Sequence, residues 1–352
     1  MNIRLTKKNE TKEKRKSQTC KVYEVKIDHS HLSHSAVTHF NCLFKEAKWF
    51  YNYCLSNDNV DNADTTLKKV LVKVGEQYEI RYFDALTSQM KQGIKTRLFG
   101  SLMSLAALKE QGNKVGRLKF KGVVNSIPLK QFSNSYYIRN NKIRLQGMKR
   151  WLKVNGLEQI PAEAEIACAT LIRRNGNYYI NITTYIKEEK KHVPDEVVGI
   201  DFGCQTQLTF DNGIKVEFQV KPTKRLRRLD RKIMKKRRKD SKNKEKDKEK
   251  RRIEYEKITN RKTDIRHKIV SAIVSNYRYV SFQDESIAGW KASGHGKKVH
   301  FSGIGSILAD LKHKAVAPFE VNKFFPSTKL CPQCEKKNTP ITVRLQQQYR
   351  VD

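Results

Sequence analysis

The sequence predicts an α+β protein of several domains, in which a small β-barrel is interrupted by a helical insertion and followed by a second mixed domain. Three observations carry this expectation. Apolar and polar residues alternate over 20–28 and again from 117 to 187, the period of half-buried strands. Between these stretches, from 30 to 115, the apolar spacing shifts to three and four, the period of an amphipathic helix. Beyond Val193-Pro194, strands return in VVGIDFGCQTQLTFDNGIKVEF, give way to helical propensity over 222–278, and return once more in YVSF.

Each element has its own signal. CKVYEVKID (20–28) is the expected first barrel strand. FNCLFKEAKWFYNYCL (40–55) places Phe40, Leu43, Phe44, Ala47, Phe50, Tyr51 and Cys54 on one helical stripe, and a second helix runs through Leu98, Leu102 and Leu105. The short runs from RLKFKG (117–122) to the strand ending near 187 are broken by Gly, Asn and Pro, and Asn175-Gly176 is a hairpin turn signal. Leu226, Leu229, Ile233, Ile253, Tyr255 and Ile258 are candidate seam residues of two helices flanking KKRRKDSKNKEKDKEKRR (235–252). That run has no apolar residue and is expected at the surface, as a hairpin tip or a loop.

Charge narrows the function. Against 36 Asp+Glu stand 72 Lys+Arg, a formal net charge of +36. A polyanion that releases counterions on neutralisation is the natural partner, hence nucleic acid. No stretch approaches the roughly 18 apolar residues of a membrane span, so no membrane role is expected. The N-terminus lacks the apolar core of a secretory signal. Seven cysteines, scattered except for the last two, fit reduced thiols of the cytoplasm.

Three motifs carry chemistry. Strand VVGID delivers Asp201 at its end, beside Gly203, where a Mg²⁺ ligand could stand. In VSFQDESIAGW, Gln283 and Glu285 share a strand face if the extended conformation continues, and Asp284 points the other way. FFPSTKLCPQC ends in Cys331 and Cys334, two ligands of the four that a closed zinc site needs. Taken singly, a turn or cap aspartate explains the first better than a metal ligand does, and polar residues merely ending a strand explain the second equally well.

In order along the chain, WFYNYCL (49–55), LTSQMKQ (86–92), VGRLKFKG (115–122), VVGIDFG (197–203), NRKTDIRHKI (260–269), VSFQDESIAGW (280–290), LADLKHKA (308–315) and PSTKLCPQC (326–334) resemble the TnpB family of RNA-guided nucleases from insertion sequences. The resemblance implies an N-terminal tail with the first barrel strand (1–29) and a helical recognition domain (30–116). The rest of a wedge-type β-barrel (117–190) follows, then a RuvC-like, RNase H-like α/β domain with long basic helices at 222–278 (191–325), and a truncated zinc-knuckle segment (326–352). The family's first catalytic acid falls on Asp201. Its second is usually Glu where this chain has Gln283; some members carry a Q-D-E-type stretch instead, and in that pattern Glu285 is the candidate acid. The third normally follows a second cysteine pair, and Asp352 is not accepted in its place.

The resemblance therefore implies a guide-RNA-directed DNA-binding protein with a degenerate RuvC site, like the nuclease-dead transcriptional repressors (TldR) derived from TnpB. Two other readings stay open: an active RNA-guided DNA endonuclease, and a transposon remnant that binds RNA non-specifically. The expected partners are guide RNA and double-stranded target DNA with a short adjacent motif, with a homodimer as a further candidate. Mg²⁺ would be held without catalytic use, and zinc occupancy of the half site at Cys331 and Cys334 is not expected from this chain's ligands alone. Tyr51, Asn52, Ser88, Gln89 and Gln92 are the implied readers of the adjacent motif. Arg117, Lys119 and Lys121 on a barrel strand, and Lys224, Arg225, Arg227, Arg228 and Arg231 on the long helix, are the implied phosphate ligands. Localisation would be cytoplasmic, at the bacterial nucleoid.

Overall fold

The structure is a computed structural model and describes residues 3–57, 59–187, 192–235 and 241–326. The chain divides into two compact units, Met1–Lys190 and Lys191–Asp352. Both are mixed α and β.

The first unit opens on helix α1 (Ile3–Lys16) rather than on the expected tail. Lys14 and Arg15 in its last turn pair with Glu165 at 3.0 and 2.8 Å. Strand β1 (Gln18–Ile27) follows, then helix α2 (His34–Ser56), started by Ser33, whose hydroxyl accepts from the Ala36 N–H. The predicted stripe is the buried one, with Phe40, Leu43, Phe44, Ala47, Phe50, Tyr51 and Cys54 all in the core.

The insertion is not all helix. Between α2 and α3 (Ser88–Glu110) lies an antiparallel hairpin of β2 (Lys69–Val74) and β3 (Gln77–Tyr82), turned at Gly75 with φ +62°. Alternation in KVLVKV and QYEIRY is a strand signal that the surrounding helical pattern overshadows. The chain enters α3 over the buried carboxylate of Glu46, which accepts from the N–H groups of Asp84, Ala85 and Leu86.

The expected strand at 117–122 is absent: 113–121 carries no secondary structure. Its alternation instead reflects a strap with Leu118 turned inward against the core. The remaining strands are β4 (Ser126–Leu129), β5 (Tyr136–Arg139), β6 (Lys142–Leu145), β7 (Leu152–Asn155), β8 (Glu165–Arg174) and β9 (Asn177–Lys187). They join β1 in one seven-stranded sheet of order β4-β8-β9-β1-β7-β6-β5. Asn175 and Gly176, both at positive φ, turn β8 into β9 as predicted, and Asn140-Asn141 makes the same kind of turn between β5 and β6.

The sheet is nearly closed into a barrel. Phe132 N–H, from the stretch that joins β4 to β5, and the hydroxyl of Tyr136, the first residue of β5, both donate to the Ala167 carbonyl of β8 at 3.1 Å. Leu129, Tyr136, Ile143, Leu145, Leu171, Ile180 and Ile182 fill its inside and continue into the core beneath α2 and α3.

The second unit is built on a five-stranded sheet of order β12-β11-β10-β13-β14. Strands β10 (Val197–Phe202), β11 (Leu208–Phe210) and β12 (Lys215–Val216) form an antiparallel meander. Helices α4 (Lys224–Lys235) and α5 (Lys242–Asn276) follow before the chain returns as β13 (Tyr279–Gln283), parallel to β10. Short turns α6 (Ile287–Trp290) and α7 (Gly296–Ser302), joined by a π-helical turn, lead to α8 (Ile304–Lys314) and to β14 (Ala317–Val321), parallel to β13. Val198, Ile200, Phe202, Val280 and Phe282 form the buried sheet face against Val270 and Ile273 of α5 and Ile307, Leu308 and Leu311 of α8.

The charge run does not lie wholly on the surface. Its second half is the start of α5, and Asp247 within it is buried and faces Lys232 of α4 at 3.4 Å. Two helical turns further, buried Glu254 accepts from the Thr223 hydroxyl at 3.0 Å and pairs with Lys257 at 3.0 Å. Leu226 of α4 and Ile258 of α5 share a small apolar cluster, and these two carboxylates add ion pairs between the basic helices, which a reading of net charge does not reveal.

Candidate active site and nucleic-acid interface

In β10 the buried positions are Val198, Ile200 and Phe202, so Gly199 and Asp201 occupy the opposite face. Register Ile200↔Phe282 puts Asp201 level with Gln283 of β13. The two N–H groups of the Gln283 amide are shared among the carbonyls of Asn322 (3.3 Å), Lys323 (3.1 Å) and Phe325 (3.2 Å) and so hold the chain leaving β14. A glutamate has no donor for those carbonyls.

Strand β13 ends at Gln283, and the backbone turns at once: Ile287 N–H donates to the Glu285 carbonyl at 2.9 Å. Glu285 is half-buried, and burial holds its carboxyl above the usual range, with the charges of Asp201 and Asp284 adding to the effect. Asp284 is directed to Lys312 of α8, whose ammonium lies 3.4 Å from it and 2.5 Å from Glu320 of β14. Glu285 thus feels the charge of both Asp201 and Asp284, and Asp284 is also engaged in an ion-paired triad with Lys312 and Glu320.

Two carboxylates with remaining positions open to water or phosphate suit a single hydrated Mg²⁺. A bound cation would offset the lesser part of the Glu285 shift, the part that comes from neighbouring negative charge. Among the described residues no group of three or more His, Cys, Asp or Glu is arranged to hold a metal. Cys331, Cys334 and Asp352 lie outside the described residues.

In the first unit, a cleft of about 380 Å³ opens between α2, α3 and the strap over 117–124. Tyr51 and Lys121 meet there, with the ammonium 4.0 Å above the ring centre. Tyr51 itself is buried, as the apolar stripe requires. Asn52 spends its amide on the strap: Nδ2 donates to the Lys121 carbonyl at 3.1 Å, and Oδ1 accepts from the Lys121 N–H at 2.8 Å. In this arrangement it positions Lys121 rather than presenting a free amide. Arg117, Lys119 and Lys121 are exposed on that strap, so they project from an irregular segment and not from a strand.

Ser88 is exposed at the start of α3, and Gln89 and Gln92 are half-buried on its first turns. Arg97, one of the cleft's lining residues, carries no signal in the sequence. It donates to the hydroxyls of Ser126 and Thr170, both at 3.1 Å, and burial lowers its pKa. In the second unit, Lys224, Arg227, Arg228 and Arg231 are exposed along α4, whereas Arg225 reaches Glu254 at 3.7 Å.

Among the described residues no helix is long and apolar enough to cross a membrane. Residues 180–289 match the model of a family described as "Probable transposase" (OrfB_IS605), the family of TnpB. This span contains Asp201, Gln283 and Glu285. No curated protein matches the chain. Among solved structures, a cryo-EM Cas12f1–sgRNA–target DNA complex is similar with a TM-score of 0.49 and 14% identity, over 91% of this chain and 79% of that one.

Proposed function

From the premise that residues 180–289 carry the OrfB probable-transposase signature, we propose that the protein is a guide-RNA-directed DNA-binding protein that represses transcription without cutting. The observation that carries the non-cutting part is Gln283. It stands level with Asp201, where the usual TnpB-like pattern has a glutamate and a Q-D-E-type pattern moves the acid to Glu285, and its amide NH₂ is engaged by backbone carbonyls of 322–325. Asp201 and Glu285 then remain as an acid pair able to retain one cation. Water activation and leaving-group stabilisation by two ions need more carboxylates than that pair supplies.

Binding is a separate property. Phosphates are met by exposed cations, and sequence is read by pairing between guide and target strand. The exposed arginines of α4 and the Arg117–Lys121 strap supply such cations in each unit. The five-stranded order of the second unit, a meander followed by two parallel strands, supports the RuvC-like reading of that unit.

The test uses the protein purified with its own RNA. Sequencing is expected to find a discrete RNA species with a short variable end, and DNA complementary to that end should be bound and left intact in Mg²⁺. Placed at a promoter, the same target should lose transcription in a reporter assay. Cleavage that disappears in Asp201→Ala would overturn the reading in favour of an active endonuclease. Bulk ribosomal RNA in place of a discrete species would overturn guidance altogether.

A further inference from the structure

The β2–β3 hairpin presents a surface that its own fold does not use. Register pairs Lys69 with Tyr82, Leu71 with Ile80 and Lys73 with Tyr78, and directly opposed residues share a face. Leu71, Tyr78, Ile80 and Tyr82 on that face are 66, 67, 55 and 61% exposed. The reverse face turns Val70 into the protein, where it is buried.

An exposed apolar ribbon is a hazard for a soluble chain, and a two-stranded ribbon is only marginally stable by itself. The surface therefore fits a partner. Its chemistry selects which one. Tyr78, Ile80 and Tyr82 alternate along β3 about 6.8 Å apart, and Lys69 and Lys73 stand across from the two rings. The face carries two cations and no acid. A second copy laid against it face to face would bring four lysines together with no carboxylate between them. A duplex offers phosphates to the lysines but keeps its base faces stacked away from the rings. Unpaired nucleotides offer both phosphate and open π-faces.

We propose that this hairpin face is a stacking platform for unpaired nucleotides of the RNA that the protein carries, with Tyr78 and Tyr82 taking bases and Lys69 and Lys73 the adjoining phosphates. The site rests on the RNA-binding reading above and adds a specific surface to it.

Two measurements test it. Ultraviolet cross-linking of the purified ribonucleoprotein, mapped by mass spectrometry, is expected to find nucleotide adducts on Tyr78 or Tyr82. In fluorescence anisotropy with the full chain, the Tyr78→Leu/Tyr82→Leu variant should bind a labelled oligouridine about tenfold or more weakly, because the bases lose the rings on which they stack. Tyr78→Phe/Tyr82→Phe keeps the rings and should bind like the parent, and affinity for a DNA duplex should be unchanged in both. Leucine preserves the apolar strand, and circular dichroism identical to the parent's confirms that the hairpin is retained.

Parent-like oligouridine binding by the leucine variant would overturn the proposal. So would loss of a dimer in sedimentation of that variant, since a second copy would then be the occupant. A discrete RNA that copurifies without cross-linking to β3 would refute this site and spare the guided reading. Cross-links from bulk RNA would do the reverse.

Discussion

Replacing Glu46 with glutamine tests whether one buried carboxylate organises helices α2 and α3 of the first unit. Glu46 is 3% exposed. Its Oε1 accepts from Asp84 N–H (3.1 Å) and Ala85 N–H (3.2 Å), and its Oε2 from Ala85 (3.0 Å) and Leu86 (2.7 Å). These donors immediately precede α3, so the carboxylate of α2 fixes where α3 begins. In Glu46→Gln one oxygen becomes an NH₂ group and faces at least one buried N–H donor to donor. A buried donor left without an acceptor costs about 1–3 kcal/mol, and a broken bond to a charged group about 1.5–3 kcal/mol. One or two such penalties sum to about 2–5 kcal/mol. For a unit of this size the melting temperature should fall by about 4–20 °C, at roughly 2–4 °C per kcal/mol. Thermal unfolding followed by far-UV circular dichroism measures the shift. Hydrogen exchange at Ala85 and Leu86 locates it. A melting temperature that stays at the parent's value, with both amides still protected, would refute the role assigned to Glu46.

Gln283→Leu should release the chain at 322–325 by removing the amide that holds its three carbonyls, which faster protease cleavage there would register. Gln283→Glu should do the same and yield no Mg²⁺-dependent cleavage, because the latch is lost before a metal ligand is gained; robust cutting by this variant would contradict the assignment. The Glu285 pKa is raised in the fold by burial first and by Asp201 and Asp284 next. The stability of its protonated form is thus fully present below the ordinary carboxyl pKa and is lost as pH rises through the folded value. The parent should lose stability relative to Glu285→Gln over that window in urea titrations, and Asp201→Asn should narrow the window. Finally, Lys242, Lys246 and Lys250 are exposed on α5. Changing all three to Gln should weaken DNA binding and reduce its salt slope by about 0.9 for each phosphate no longer neutralised, whereas an unchanged slope would show that this face meets no phosphate.

Much of this molecule is readable before folding is considered. The stripe from Phe40 to Cys54, the β8–β9 turn at Asn175-Gly176, the strand that delivers Asp201 and the placement of Gln283 and Glu285 after YVSF all follow from local rules. Periodicity reports which residues face a core, and Asn-Gly reports a backbone that must take positive φ. The +36 charge likewise points to a polyanion without any coordinates. What local rules miss are partners distant in sequence. The alternation of RLKFKG looks like a strand, yet among the described residues no strand pairs with it, and the backbone of Lys121 is taken by Asn52 on α2. Asp247 and Glu254 look like two acids stranded in a basic run, yet packing of α4 on α5 buries both. Nor does spacing reveal that the Gln283 amide is committed to carbonyls some 40 positions on, since hydrogen-bond partners are chosen by the register of β10, β13 and β14. Residue types and their periods thus determined the class of protein and the residues worth watching. Tertiary structure alone decided which of those side chains remain available for chemistry, because a buried polar group must satisfy its bonds wherever the fold places them.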